Sequence, residues 1–317
     1  MTPRLRRCVA AASLALGLQA HANDCPPEPP PPGAAEIARA AAQARDRGFL
    51  WRIDKGGRSS WLYGTIHLGR LEWTFPGPKV REALLSSDVA AFELDFTDPA
   101  LMQRLQGALT TAARESAALP DDLAARLRER LKAACAPPEL AQALPPELLG
   151  ATLMLMSTRR DGLDVGHAID PALAQLARQE GKPVLSLETP EQQVALLRSD
   201  TPAELRQSLE KVLRDLEQDR ARPLLLRVAE VWEHGRADEL ARYRNWCDCA
   251  RTPQERRALK ALLDDRNGPM AERIDALHAG GRTVFAAVGS LHLVGPSSLP
   301  SLLAARGYRV TRIALQR

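Results

Sequence analysis

Two short stretches of this chain share a pattern that can do chemistry. Trp61–Gly69 reads WLYGTIHLG, and Ala286–Gly295 reads AAVGSLHLVG. Each is an apolar run followed by G-x-x-H-L. A glycine lets a ligand or another backbone approach closely. Here those glycines are Gly64 and Gly289. Three residues on, His67 and His292 fall at the C-terminal ends of the runs. In open α/β sheets that edge is where ligands bind. Histidine is the commonest metal ligand and an acid or base near neutral pH. Glu93 closes a third apolar run, AAFELD, and reaches the same edge if the strands are parallel. Two histidines and a carboxylate make a plausible set for one divalent ion, with positions left open to water. The same groups also permit metal-free general-base catalysis by a histidine that Glu93 orients. A single G-x-x-H is more often structural; two copies in matching context raise both.

These residues need a sheet to hold them. Phe49–Ile53 and Trp61–Ile66 are strand-like runs around a Gly56-Gly57 turn, so a hairpin is expected. Val80–Leu85 reads as a helix and Val89–Leu94 as a buried strand. The middle is helical: Leu101–Arg114, Asp121–Ala134 with Asp121 as N-cap, and a helix from Pro145. Asp170-Pro171 reads as a cap followed by proline at the first helical position, and Gly181 ends that helix. Pro183–Leu187 is a third buried-strand candidate. Leu205 to Leu216, Leu240 to Trp246 and Pro253 to Asp264 continue the helical pattern. Met270–His278, Thr283–Val288, Leu299–Arg306 and Tyr308–Leu315 then alternate helix and strand. Strand, G-x-x-H, helix and strand thus occur twice, which reads as an internal duplication. The expected fold is α/β (α+β). A mixed central sheet is built from the two units, with a long helical insertion at about 97–270 between them.

The ends and the cysteines bear on location. Arg4, Arg6 and Arg7, an apolar Cys8–Leu18 and the Ala20-His21-Ala22 site make the three-part pattern of a signal peptide over residues 1–22. Residues 23–48 read as a Pro- and Ala-rich linker, and the domain as 49–317. No stretch is long and apolar enough for a membrane span. A periplasmic or secreted protein is expected. Cleavage leaves Cys25, Cys135, Cys247 and Cys249, an even number that suits disulfides in an oxidising compartment. A Cys247–Cys249 ring would be strained, so each is expected to bond Cys25 or Cys135. Of 43 Lys+Arg, three lie in the first 22 residues, against 39 Asp+Glu overall, so the mature chain carries about +1. That gives no electrostatic footprint for nucleic acid. No P-loop, no G-x-G-x-x-G after a strand and no H-E-x-x-H is present. His167, His234 and His278 lack a repeat partner and read as structural.

The elements LYGTIHLG, FELD, GLDVGHAID, GKPVLSLETPEQQ, DDRNGPMAERI and AVGSLHLVG, in this order, resemble the TraB/GumN family. That family includes the pheromone-shutdown proteins and the animal Tiki proteases. The resemblance covers roughly Leu50 to Leu315. It implies His67, Glu93 and His292 in the active centre. It also brings in Arg266 and Asn267 as the Arg-Asn element before the last helix and strand, with Asp164 and Glu188 as further matches. Arg266 could hold a substrate carboxylate or an oxyanion. The resemblance further implies a fold like the erythromycin-esterase and ChaN-like group. Metal-dependent proteolysis follows from the same resemblance, with manganese or cobalt favoured and zinc possible.

The leading expectation is therefore an exported, metal-dependent, peptidase-like hydrolase acting on a peptide or small molecule. A non-catalytic protein that sequesters such a ligand in the same crevice is the first alternative. A metal-free esterase with a histidine base is the second.

Overall fold

The structure is a computed structural model and describes residue 25 and residues 30–315. The expected signal peptide, 1–22, lies outside the described residues, as do the first prolines of the linker. Within the rest of the linker, Ala34–Ala42 forms a helix.

Six strands form one mixed sheet. They are β1 (Phe49–Lys55), β2 (Arg58–Thr65), β3 (Val89–Phe92), β4 (Val184–Ser186), β5 (Val284–Gly289) and β6 (Arg309–Ile313). Their spatial order is β4-β3-β5-β2-β1-β6. β1 is antiparallel to both neighbours, while β2, β3, β4 and β5 pair in parallel. The β1–β2 hairpin turns through Gly56 and Gly57, both at positive φ, which a residue with a Cβ adopts at a cost.

β3 and β5 are short and carry no polar side chain, the pattern of parallel strands covered on both faces. Val89, Ala91, Phe92 and the whole Val284–Val288 run are buried. The helices Ile169–Gln179 and Asp265–Ala279 pack on β3 and β5. A second, smaller core of Leu123, Leu127, Leu149, Leu153, Leu209 and Leu213 joins three helices of the middle segment. That segment is not purely helical, since it supplies β4. β4 is also only half-buried, where a buried strand was expected, because it lies at the edge of the sheet.

Three further local expectations need correction. Pro120, not Asp121, is the N-cap of Asp121–Ala133. Leu240–Trp246 breaks into two short helices, Ala237–Leu240 and Tyr243–Trp246. The cysteines pair as Cys25–Cys135 and Cys247–Cys249, not crosswise. The short ring closes because Asp248 takes a positive φ of 54°. This leaves the two Cα atoms 5.1 Å apart, inside the range a disulfide spans. Among the described residues, no helix is long and apolar enough to cross a membrane.

Candidate active site at the strand ends

Parallel pairing brings the two G-x-x-H segments to one edge. β2 and β5 are neighbours, with Thr65 opposite Gly289. β3 flanks β5 on the other side, with Phe92 opposite Ala287. The β3–β4 pairing extends past both strands, since Glu188 N–H donates to the Glu93 carbonyl at 3.0 Å. His67, His292, Glu93 and Glu188 therefore leave neighbouring strands at the same end.

Gly289 stands at their meeting point. A Cβ there would lie 3.2 Å from Glu93 Oε1, 3.4 Å from His67 Nε2 and 3.7 Å from His292 Cδ2. Its N–H donates to Glu93 Oε1 at 2.7 Å. Gly64 does the reciprocal job for the other segment. A Cβ on it would sit 2.8 Å from Ser290 Oγ. That hydroxyl instead donates to the Thr65 carbonyl at 2.7 Å, tying the two strand ends together.

Two carboxylates on adjacent parallel strand ends repel unless a cation lies between them. Arg266 is that cation. Its Nε donates to Glu188 Oε1 at 2.8 Å, and its Nη2 contacts both Glu188 Oε2 and Glu93 Oε2. All three side chains are buried, at 10% exposure or less. Gln193 Nε2 adds bonds to Glu188 Oε2 at 3.0 Å and Glu93 Oε2 at 3.3 Å. Burial alone would raise the Glu93 carboxyl. The charges of His292, His67 and Arg266 and the Gly289 N–H overcome it and hold the pKa at about 2. The same carboxylates push the Arg266 guanidinium above its ordinary value against its own desolvation.

Each histidine is held through Nδ1. His292 is buried and lies 2.7 Å from Asn267 Oδ1. Asn267 Nδ2 in turn donates to the Ser297 carbonyl at 2.8 Å, so Oδ1 is the acceptor and His292 Nδ1 carries the proton. Its Nε2 faces Glu93 Oε1 at 3.8 Å. Desolvation lowers the His292 pKa, with Glu93 opposing. His67 Nδ1 lies 3.1 Å from Asp170 Oδ2, and Thr65 Oγ1 donates to Asp170 Oδ1 at 2.7 Å. The His67 side chain is 55% exposed. Desolvation by the strand ends disfavours its charge, but the charge and hydrogen bond of Asp170, with Glu93, raise its pKa to about 9.

Asp170 was read as a helix cap. The helix begins at Ile169, two residues before the expected first position at Pro171, and makes no side-chain cap. Asp170 is instead buried against His67 and Thr65 because the 164–170 segment is laced to the His67 loop. Gly69 and Asp164 exchange backbone bonds of 3.0 and 2.9 Å, and Ile169 N–H donates to the Ile66 carbonyl at 3.2 Å. Asp164 serves that lacing, accepting from Gly166 N–H and Arg159 Nε at 2.7 Å each; it touches neither histidine directly. Arg266 and Asn267 precede the last helix and strand, as expected, and lie in the first turn of Asp265–Ala279, which starts earlier than the expected Met270 and follows a π-helical turn at Lys260–Asp264. Pro269 lacks the N–H that would bond the Asp265 carbonyl, so the helix is already irregular where Arg266 must turn inward. Sequence reasoning missed Asp170 and Gln193 as site residues. The signal was in hand, since both sit inside the quoted elements GLDVGHAID and LETPEQQ.

The human protein named "Metalloprotease TIKI1" is 34% identical over 104 residues, 32% of this chain and 20% of its own length. The zebrafish (Danio rerio) protein of that name is 26% identical over 310 residues, 83% of this chain and 62% of its own. This chain therefore spans less than two thirds of those relatives. The Shigella flexneri "Uncharacterized protein YbaP" is 26% identical over 277 residues, 83% of this chain and 96% of its own. No solved structure matches. The profile of the TraB/PrgY/gumN family matches residues 49–312, which include every site residue described above. The chain belongs to the TraB/PrgY/gumN family.

Proposed function

We propose that this protein is an exported, metal-dependent, peptidase-like hydrolase acting on a peptide or a small carboxyl derivative. The observation that carries the reading is the meeting of His67 Nε2, Glu93 Oε1 and the His292 ring around the bare Cα of Gly289. The two strand–G-x-x-H–helix–strand units are read as an ancient duplication that placed one histidine on each side of this point. The disulfides and the relatives named for metalloproteases support export and hydrolysis.

The donor set suits a divalent ion. Both Nδ1 atoms are engaged, which leaves Nε2 as the free ligand atom on each ring. Such outer bonds orient metal-binding histidines. Glu93 Oε2 is clamped by Arg266, and Oε1 points toward the histidines. The carboxylates of Glu93, Glu188 and Asp170 outnumber the one fixed cation, Arg266. Among the described residues, no three His, Cys, Asp or Glu side chains already stand in coordinating positions. His67, Glu93 and His292 would hold manganese, cobalt or zinc. When bound, such an ion polarises a carbonyl and makes water a better nucleophile. Arg266, with its donors committed to Glu93, Glu188 and the Leu262 carbonyl, acts as a positioning residue, not as the holder of a substrate oxyanion.

The His67–Asp170 bond supports a second reading, hydrolysis by a carboxylate-oriented histidine base without metal. One experiment separates the two. The protein is stripped, reloaded with manganese, cobalt or zinc, and compared with His67→Ala and His292→Ala for bound metal and for cleavage of a peptide library. One ion per chain, lost in both variants together with cleavage, is the expected result. Cleavage that survives chelation selects the metal-free reading.

A further inference from the structure

The opposite end of the sheet carries a second concave surface. β1 and β2 turn there through Gly56-Gly57, and β6 starts beside them after Gly307. The cleft is open to solvent and has a volume of about 600 Å³, within the range of small-ligand sites. The chain as a whole has a formal charge of only +4. Yet this cleft is lined by Arg52, Lys55, Arg58 and Arg309 against a single carboxylate, Asp54. The three glycines, at φ of 58°, 75° and 86°, add only backbone between the cations.

The cations are under-compensated. Arg52 and Arg309 share Asp54, at 3.1 and 3.2 Å. The other oxygen of Asp54 already accepts from Ser59 at 2.6 Å. Lys55 meets Asp275 at 3.1 Å and lies over the Tyr308 ring. Arg58 donates Nη2 to the His278 carbonyl at 2.7 Å, and its Nε is buried without a hydrogen-bond partner. A guanidinium with spare donors, next to others held by one shared carboxylate, matches the oxygens of a phosphoryl group. Arg58 and Arg309 begin β2 and β6, whereas His67 and Glu93 follow strand C-termini. The cleft therefore shares no residue with the candidate active site.

We infer that this cleft binds a phosphorylated ligand, with Arg58 and Arg309 as the principal contacts to the phosphoryl oxygens. The phosphoryl group can be free on a small molecule or carried on a lipid headgroup. The test is calorimetric titration of the purified protein with inorganic pyrophosphate, beside sedimentation with vesicles of phosphatidylglycerol or phosphatidylcholine. Arg58→Gln and Arg309→Gln are run in parallel. The Arg309 side chain is 74% exposed, so its replacement leaves the fold intact even if Arg58→Gln does not. Pyrophosphate binding weakened at least about tenfold in Arg309→Gln and in folded Arg58→Gln is the expected result for a small ligand. Sedimentation with phosphatidylglycerol alone, lost in the same variants, assigns the same cations to a headgroup. Binding to neither probe, or binding unchanged by the variants, overturns the inference.

Discussion

His67 Nδ1 and Asp170 Oδ2 lie 3.1 Å apart although 103 residues separate them in the chain. The contact fixes the ring of the one site histidine that faces solvent. Asp170→Asn keeps the shape and removes the charge. Outer partners of this kind are worth about 10–100-fold in metal affinity or activity, and a loss of that size is expected with little change in melting temperature. The His67 titration, followed by NMR, should also fall toward the ordinary histidine value. A His67 titration that stays near 9 in the variant would mean that Asp170 does not govern it.

The raised pKa of His67 sets a pH dependence. The folded value, about 9, lies above the unfolded value of about 6.5. Its contribution to stability is therefore full below about pH 6.5 and is lost as pH rises through about 9. Metal binding needs the neutral ring. Metal affinity should rise from pH 7 to 9, and uptake should release a proton, measurable as a buffer-dependent heat. Affinity that falls over that interval would remove His67 from the ligand set.

Glu93 behaves in the opposite sense. Its folded pKa, about 2, lies below the unfolded value of about 4.3. Its stabilisation is present above about pH 4.3 and is lost as pH falls through about 2. Arg266→Ala leaves Glu93 and Glu188 facing each other in a buried place. Breaking such a pair costs about 3–5 kcal/mol. Adding Glu188→Gln to Arg266→Ala should recover part of that loss, and denaturant unfolding of both variants checks it.

The glycines of the two motifs should fail in different ways. A methyl on Gly289 enters the space between Glu93 and His67, at 3.2 and 3.4 Å. Gly289→Ala should abolish metal uptake while the melting temperature stays within a few degrees. A methyl on Gly64 meets Ser290 Oγ at 2.8 Å inside the core, an overpacking worth about 1–3 kcal/mol. Gly64→Ala should therefore unfold earlier, and Ser290→Ala should restore part of the loss. Equal effects of the two single variants would contradict this division of roles.

The strands and the G-x-x-H histidines were legible because apolar runs bounded by Gly and Pro leave few alternatives. Their assembly was less so. Asp170 before Pro171 looks like any helix cap, and only the lacing of 164–170 onto Ile66–Gly69 turns the carboxylate toward His67. Arg266 follows a π turn and precedes Pro269, an irregularity that periodicity does not reveal. The Cys247–Cys249 ring depended on the backbone of Asp248, which residue type alone leaves open. The family motifs named Glu188 and Asn267, but only their contacts distinguish the partner of Arg266 from the partner of His292.

The order β4-β3-β5-β2-β1-β6 has a consequence for how the chain must be completed. β5 lies between β3 and β2, yet it is synthesised nearly last. Until residues 284–289 arrive, β2 and β3 each lack the strand partner that lies between them in the complete sheet, and each presents an open backbone edge. Open edges of apolar strands recruit other chains. A ribosome product that stops short of β5 thus lacks His292 and is prone to clump. The last strand to enter the middle of the sheet closes both edges and delivers the second histidine, so completion of the candidate site and safety from aggregation arrive in the same step.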